Sequence, residues 1–217
     1  MKRKLINWIG LTGIISLLSY TAAVIFAPMA YPGYNWMAQA VSDLSAETAP
    51  SRVLWNQIAA LYGKCSIVCV TCVSIFVSEH KRLPKAFRIG IYLFTIMSWI
   101  SGVGYAMFPL SDSGNEITSF PEVMHMAVTV LVVVLSIVSL ILLILSGLRK
   151  RETRTVGIFA AVAFGMMMAG AIGINLVPAE YFGIAERFSV FAAVGFTAVL
   201  GTALYNSFHI REEGSEE

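Results

Sequence analysis

The chain has 217 residues, 57% of them hydrophobic and 13% charged, with a formal net charge of +2 and a mean hydropathy of +0.75. A soluble globule of this size would have far too little polar surface, so the composition indicates an integral membrane protein. No basic stripe is left over for nucleic acid, and membrane lipids are the expected partners.

Six apolar runs follow one another: Leu5 to Ala27, Leu54 to Val77, Phe87 to Phe108, Glu122 to Leu148, Val156 to Val177 and Ile184 to Phe208. Each reaches the roughly 20 residues that an apolar layer of about 30 Å demands of a helix. The fold class is therefore all-α, a polytopic bundle of six transmembrane helices arranged as three hairpins. Residues 1–210 form a single transmembrane domain and residues 211–217 a short acidic tail. The first run is too long for an ordinary signal peptide, and Pro28 spoils the nearest cleavage site.

Basic residues fix the expected orientation. Lys2, Arg3 and Lys4 precede the first run; Lys81, Arg82, Lys85 and Arg88 surround the second link; Arg149, Lys150, Arg151 and Arg154 surround the fourth; Arg211 follows the last. The positive-inside rule puts all of these in the cytoplasm, with both termini, in a multi-pass protein of the cell membrane. The first loop and the loops after the third and fifth runs then lie outside.

At those outer ends a Pro-x-x-x-x-Gly spacing recurs, Pro28 to Gly33, Pro109 to Gly114 and Pro178 to Gly183, as proline stops a helix and glycine frees the next turn. Small residues four apart, Ser98, Gly102 and Ala106 on the third run and Gly165, Ala169 and Gly173 on the fifth, suggest close helix contacts and a central place for both. Cys65, Cys69 and Cys72 share one run and read as packing residues, with no disulfide framework.

The first loop is the longest connection. From Asn35, the residues Trp36, Met37, Ala40, Val41 and Leu44 share one helical face, and Gln39, Ser42, Asp43 and Ala46 the other. A short amphipathic helix at the outer surface is expected, with Trp36 at headgroup depth.

In this loop the chain resembles a family of six-span bacterial and archaeal membrane proteins, domain of unknown function 998. The stretch that carries the likeness is Ala27-Pro28, Tyr31-Pro32-Gly33-Tyr34-Asn35, Val41-Ser42-Asp43-Leu44-Ser45-Ala46 and Pro50; Phe108-Pro109, Asp112, His125 and Glu186-Arg187 agree more loosely. That family is distantly similar to eukaryotic six-span proteins of GPI-anchor lipid remodelling, which implies lipid handling by analogy and assigns no catalytic residue.

Candidate chemistry gathers on the outer side. Ser42, Asp43, Asp112 and His125 could meet under the loop as a hydroxyl, acids and a base for ester or amide hydrolysis. An interfacial His125 bonded to a loop carbonyl explains the same residue without catalysis. Lys64, Glu122, Glu186 and Arg187 are candidate ligand-binding residues. Glu122 also fits a capping box opened by Ser119, and Glu186 a helix start. Lys64 stands roughly 15 Å deep, so it either snorkels or finds a partner such as Glu186, Asp43 or Asp112. His125 is the lone outer imidazole, which argues against a three-histidine zinc centre; no metal or other cofactor is assigned. Gly-x-Ser-x-Gly and His-Glu-x-x-His are missing, and Gly63-Lys64-Cys65-Ser66 fails as a phosphate loop because Ile58 replaces the upstream glycine.

Three function classes remain open: an outward-facing protein that binds or processes a lipid-like amphiphile, a non-catalytic membrane partner or sensor, and a small-solute transporter. The last is disfavoured because the inner halves offer mainly Ser and Thr, with Asn206 near the boundary.

Overall fold

The computed structural model describes residues 3–109 and 120–209. Asp112, Glu116, Gly114 and the acidic tail with Arg211 lie outside the described residues. Among the described residues every regular element is helical, and six helices are long and apolar enough to cross a membrane. They are the first span, Leu5–Ala30; the second, Arg52–Glu79; the third, Lys85–Met107; the fourth, Phe120–Gly147; the fifth, Arg154–Leu176; and the sixth, Ala179–Tyr205. The third span packs most extensively on the fourth and the fifth on the sixth, while the first lies against both the second and the sixth.

The first and last spans and two of the links meet at one end. Arg3 Nη1 donates to Tyr205 Oη at 2.7 Å, and Lys150 Nζ donates to the Arg82 carbonyl at 3.0 Å. The chain leaves the sixth span through Ser207 and Phe208, both left-handed at φ 53 and 49. The helix expected to reach Phe208 therefore stops at Tyr205. Two consecutive non-glycine residues hold this costly conformation because Phe208 is buried, stacked on Phe76 at 5.6 Å.

The main core fills this terminal half: Phe76, Phe87, Phe94, Phe196, Leu143 and Leu204 are all buried there. Close backbone approach supplies the rest. A Cβ on Gly10 would stand 2.5 Å from the Gly201 carbonyl oxygen, and Cys69 Sγ lies 3.7 Å from the carbonyls of both Gly10 and Thr197. Cys69 is thus the small residue at the crossing of the first, second and sixth spans.

Two packing expectations change. Gly165 has open space around it and Ala169 is exposed. The fifth span instead uses Gly170, whose added Cβ would meet the Ala185 carbonyl oxygen at 2.7 Å, and Gly173, which faces the Ala185 methyl. The sixth span is the central one, with 44% of its most apolar window buried against 28–33% for the others. Spacing alone marks a small-residue face but does not say which neighbour stands before it.

Within the spans, hydroxyls bond backward along their own helices, as in Ser98 to Phe94 O at 2.9 Å and Thr202 to Ala198 O at 2.8 Å. An apolar solvent leaves them few other acceptors. The second span breaks into a 3-10 turn at Ala59–Leu61. Ser19 covers the Ile58 carbonyl at 2.6 Å and Ser16 the Tyr62 carbonyl at 2.8 Å, so oxygens around the break are satisfied across the first span.

Candidate functional site

At the opposite end the first loop folds onto the start of the sixth span. Its turn opens with Asn35, whose Oδ1 accepts from Met37 N at 3.1 Å while Gln39 Oε1 accepts from Asn35 N at 2.8 Å. Such side-chain bonds compete with a continuing helix. The amphipathic helix expected here is accordingly a turn followed by one 3-10 element, Ser42–Ser45. Ala40, Val41 and Leu44 are buried as their face requires, but so are Asp43 and Ala46 of the supposed polar face, and Trp36 is 55% exposed.

Arg187 holds this loop in place. Its Nη1 donates to the carbonyls of Trp36 at 2.7 Å, Gln39 at 3.0 Å and Gly183 at 2.7 Å. Its Nη2 donates to Tyr34 Oη at 2.7 Å, and Tyr34 passes its own proton to the Ala40 carbonyl at 2.8 Å. Ile184 N adds a backbone bond to Met37 O at 3.2 Å. Gly183 permits the approach, since a Cβ there would strike the Gln39 and Trp36 carbonyls. Gly33, by contrast, sits at φ +78 with open space around it. The two described glycines of the Pro-x-x-x-x-Gly repeat thus serve different needs, a turn and a contact.

Both nearby carboxylates bind loop N–H groups. Asp43 Oδ2 accepts from Ala40 N at 3.2 Å, and Glu186 Oε2 accepts from Val41 N at 3.2 Å. Among the described residues no ion pair joins either acid to Arg187; Arg52 and Glu47, 3.9 Å apart, are the exposed pair of this region. Burial pushes the Asp43 carboxyl above its usual range, opposed by the Ala40 N–H bond and by Arg187. Burial also raises the Tyr34 phenol, again opposed by Arg187. Ser42 is half-buried at the start of the 3-10 element, with its carbonyl accepting from Ser45 Oγ at 2.9 Å.

His125 belongs to another group. Its Nδ1 lies 2.8 Å from the Phe108 carbonyl at the end of the third span. A carbonyl only accepts, so Nδ1 carries the proton in this bond. The imidazole covers a helix-end oxygen that would otherwise be orphaned. Tyr105 lies on the ring at 4.9 Å and donates to Thr129 Oγ1 at 3.1 Å, while Thr129 donates to the His125 carbonyl at 2.9 Å.

The candidate residues therefore form two clusters. Asp43, Glu186 and Arg187 converge around the loop; the bonds described for His125 stay between the third and fourth spans, and none reaches Ser42 or Asp43. Glu122 lies half-buried in the first turn of the fourth span. Lys64 stands apart from both, exposed, with Nζ 3.0 Å from the Ala60 carbonyl one turn nearer the loop end. That is the snorkelling geometry.

Sequence reasoning missed the tyrosines between the clusters. Tyr20 is within electrostatic range of Glu186 and Arg187, Tyr62 of Tyr20 and Tyr105, and Tyr105 of Glu186. Tyr20 and Tyr62 rings touch at 4.7 Å. Their signal was a phenol inside an apolar run, where a hydroxyl is costly unless it has a use. Beside the loop cluster lies a groove of about 380 Å³, lined by Val24, Ile25 and Pro28 of the first span, Tyr34 and Trp36 of the loop, and Arg187. The guanidinium sits 6.0 Å from the Trp36 ring centroid.

Six apolar helices joined by short links, with the longest loop tied to the sixth helix, define a multi-pass integral membrane protein. The sequence profile described as Protein of unknown function (DUF998) matches residues 14–203, and the chain belongs to that family. No curated protein and no solved structure matches it.

Proposed function

We propose that this protein binds a lipid-like amphiphile in the groove at its first-loop end, and that this end faces the outside of the cell membrane. The observation that carries the reading is the lining of the groove. Val24, Ile25, Pro28 and Trp36 form an apolar wall, and Tyr34 with Arg187 form a polar end. Ile25 is 59% exposed, so the apolar wall is open to acyl chains of the bilayer. Concave apolar surface with a few fixed polar groups is the usual form of a small-molecule site. The orientation is supported by the gathering of Arg3 and the Arg82 and Lys150 links at the terminal end, which the positive-inside rule assigns to the cytoplasm.

Binding is favoured over hydrolysis because the Asp43 carboxylate bonds to the Ala40 N–H of the loop while the His125 ring bonds to the third span. A second reading, a non-catalytic partner or sensor, draws on the fact that Arg187 already has four oxygen partners within the chain. Lipid extraction and mass spectrometry of the purified protein separate the two. The binding reading expects a stoichiometric amphiphile on the wild type and its loss in Ile25→Trp, which fills the groove from an exposed position. A folded wild type carrying no stoichiometric amphiphile supports the partner reading instead.

A further inference from the structure

The charge lining the groove identifies the headgroup. Arg187 is the charged residue of that lining, while the neighbouring carboxylates of Asp43 and Glu186 are bonded to the Ala40 and Val41 N–H groups of the loop. A guanidinium carries five N–H groups. Nη1 is shared among three carbonyls and Nη2 gives one bond to Tyr34, leaving Nε and one Nη2 proton with no bond among the described residues. Among the described residues its hydrogen bonds go to neutral oxygens, which fix its position without a direct ion pair. A pinned guanidinium at the polar end of an apolar groove matches a phosphate oxygen, which it binds through charge-assisted hydrogen bonds. Trp36 lines this polar end, and indole rings favour the headgroup level of a bilayer.

We propose that the groove takes an anionic phospholipid of the surrounding leaflet, its phosphate on Arg187 and one acyl chain along Val24, Ile25 and Pro28. The proposal rests on the amphiphile-binding reading and names the headgroup for it. Asp43 and Glu186 remain within electrostatic range of Arg187. Selectivity therefore comes from direct contact with the positive charge at position 187 and not from the net charge of the region.

The test exchanges purified full-length protein with vesicles of equal phosphatidylglycerol and digalactosyldiacylglycerol, a bilayer lipid without phosphate, then counts retained lipids by native mass spectrometry. Wild type is expected to hold phosphatidylglycerol in about tenfold excess, the scale of one charge-assisted contact. Arg187→Gln brings the two lipids to parity, and Ile25→Trp lowers both. Parity on the wild type, or an excess that survives Arg187→Gln, overturns the headgroup assignment. If Ile25→Trp still lowers both lipids in that case, amphiphile binding stands without it; if Ile25→Trp changes neither, both readings fall. Should Arg187→Gln fail to fold, Arg187→Lys decides through its charge: an excess retained by a folded variant supports the proposal, and parity overturns it.

Discussion

The two halves of the bundle are built on different principles. In the terminal half, phenylalanine and leucine side chains interdigitate and glycines bring backbones together at Gly10 and Gly201. In the first-loop half, the second span has no buried residue from Ala59 to Val68, and the third none from Trp99 to Phe108. The loop is held there by the hydrogen bonds of Arg187, Glu186 and Asp43, beside a smaller apolar cluster around Tyr20, Leu44 and Trp55. A densely packed core opens only near the cost of global unfolding, whereas a loop held by a few hydrogen bonds opens at modest cost. Closure at one end and a releasable loop at the other suit a protein that takes ligands from one membrane face.

The largest effect is expected where the halves differ most. Phe196→Ala removes a ring packed on Phe94 at 5.1 Å and costs about 3–5 kcal/mol, read as a fall in thermal stability of the whole bundle. If it leaves the melting temperature unchanged, the terminal half is not the stabilising one. Arg187→Ala should act locally: loss of its shared charge-assisted bonds costs about 1.5–3 kcal/mol. Hydrogen exchange of residues 34–45 would then rise more than tenfold while the terminal half stays protected. Equal loosening of both halves would erase the distinction drawn between them.

A smaller change is expected from His125→Ala, which uncovers the Phe108 carbonyl at a cost of about 0.5–1.5 kcal/mol. Exchange should rise at the end of the third span and not in the first loop, in keeping with two separate clusters. Coupled loosening of the first loop would join them.

A pH dependence sharpens the comparison further. Burial raises the Asp43 carboxyl, so the folded loop holds that proton more tightly than the unfolded one. The contribution is fully present below the ordinary carboxylate value of about 4 and is lost as pH rises through the raised value. Trp36 emission, followed from acid to neutral pH in a Glu186→Gln background, should report a tighter loop at low pH. Asp43→Asn should flatten the response while keeping the Ala40 bond; an unchanged slope would assign the titration elsewhere. The smallest effect is expected from Lys64→Met, within about 0.5 kcal/mol, because the ammonium is exposed and bonded to its own helix.

The spans were legible from local hydropathy, and their bounds differ from the helices by only a few residues, as with Leu54 to Val77 against Arg52–Glu79. Glu186 and Arg187 were also legible as candidates, because paired charges at a helix start in an apolar chain demand a reason. Their partners were not. Arg187 binds the carbonyls of Trp36 and Gln39, and a carbonyl leaves no mark on the identity of its residue. The depth of Lys64 was readable, but its exposed face, with Nζ on the Ala60 carbonyl beside the 3-10 turn at Ala59–Leu61, was not.

By itself the sequence determined six apolar helices long enough to cross a membrane and the grouping of the basic links at one end, since these follow from counting apolar residues and locating charges along the chain. Only the tertiary structure decided that Asp43 and Ala46 turn inward, that the sixth span is central, and that His125 bonds the Phe108 carbonyl at the end of the third span. Each of those depends on which surfaces meet across the bundle. That meeting is set by close contacts between residues distant in sequence, and hydropathy, an average over neighbours in the chain, carries no record of them.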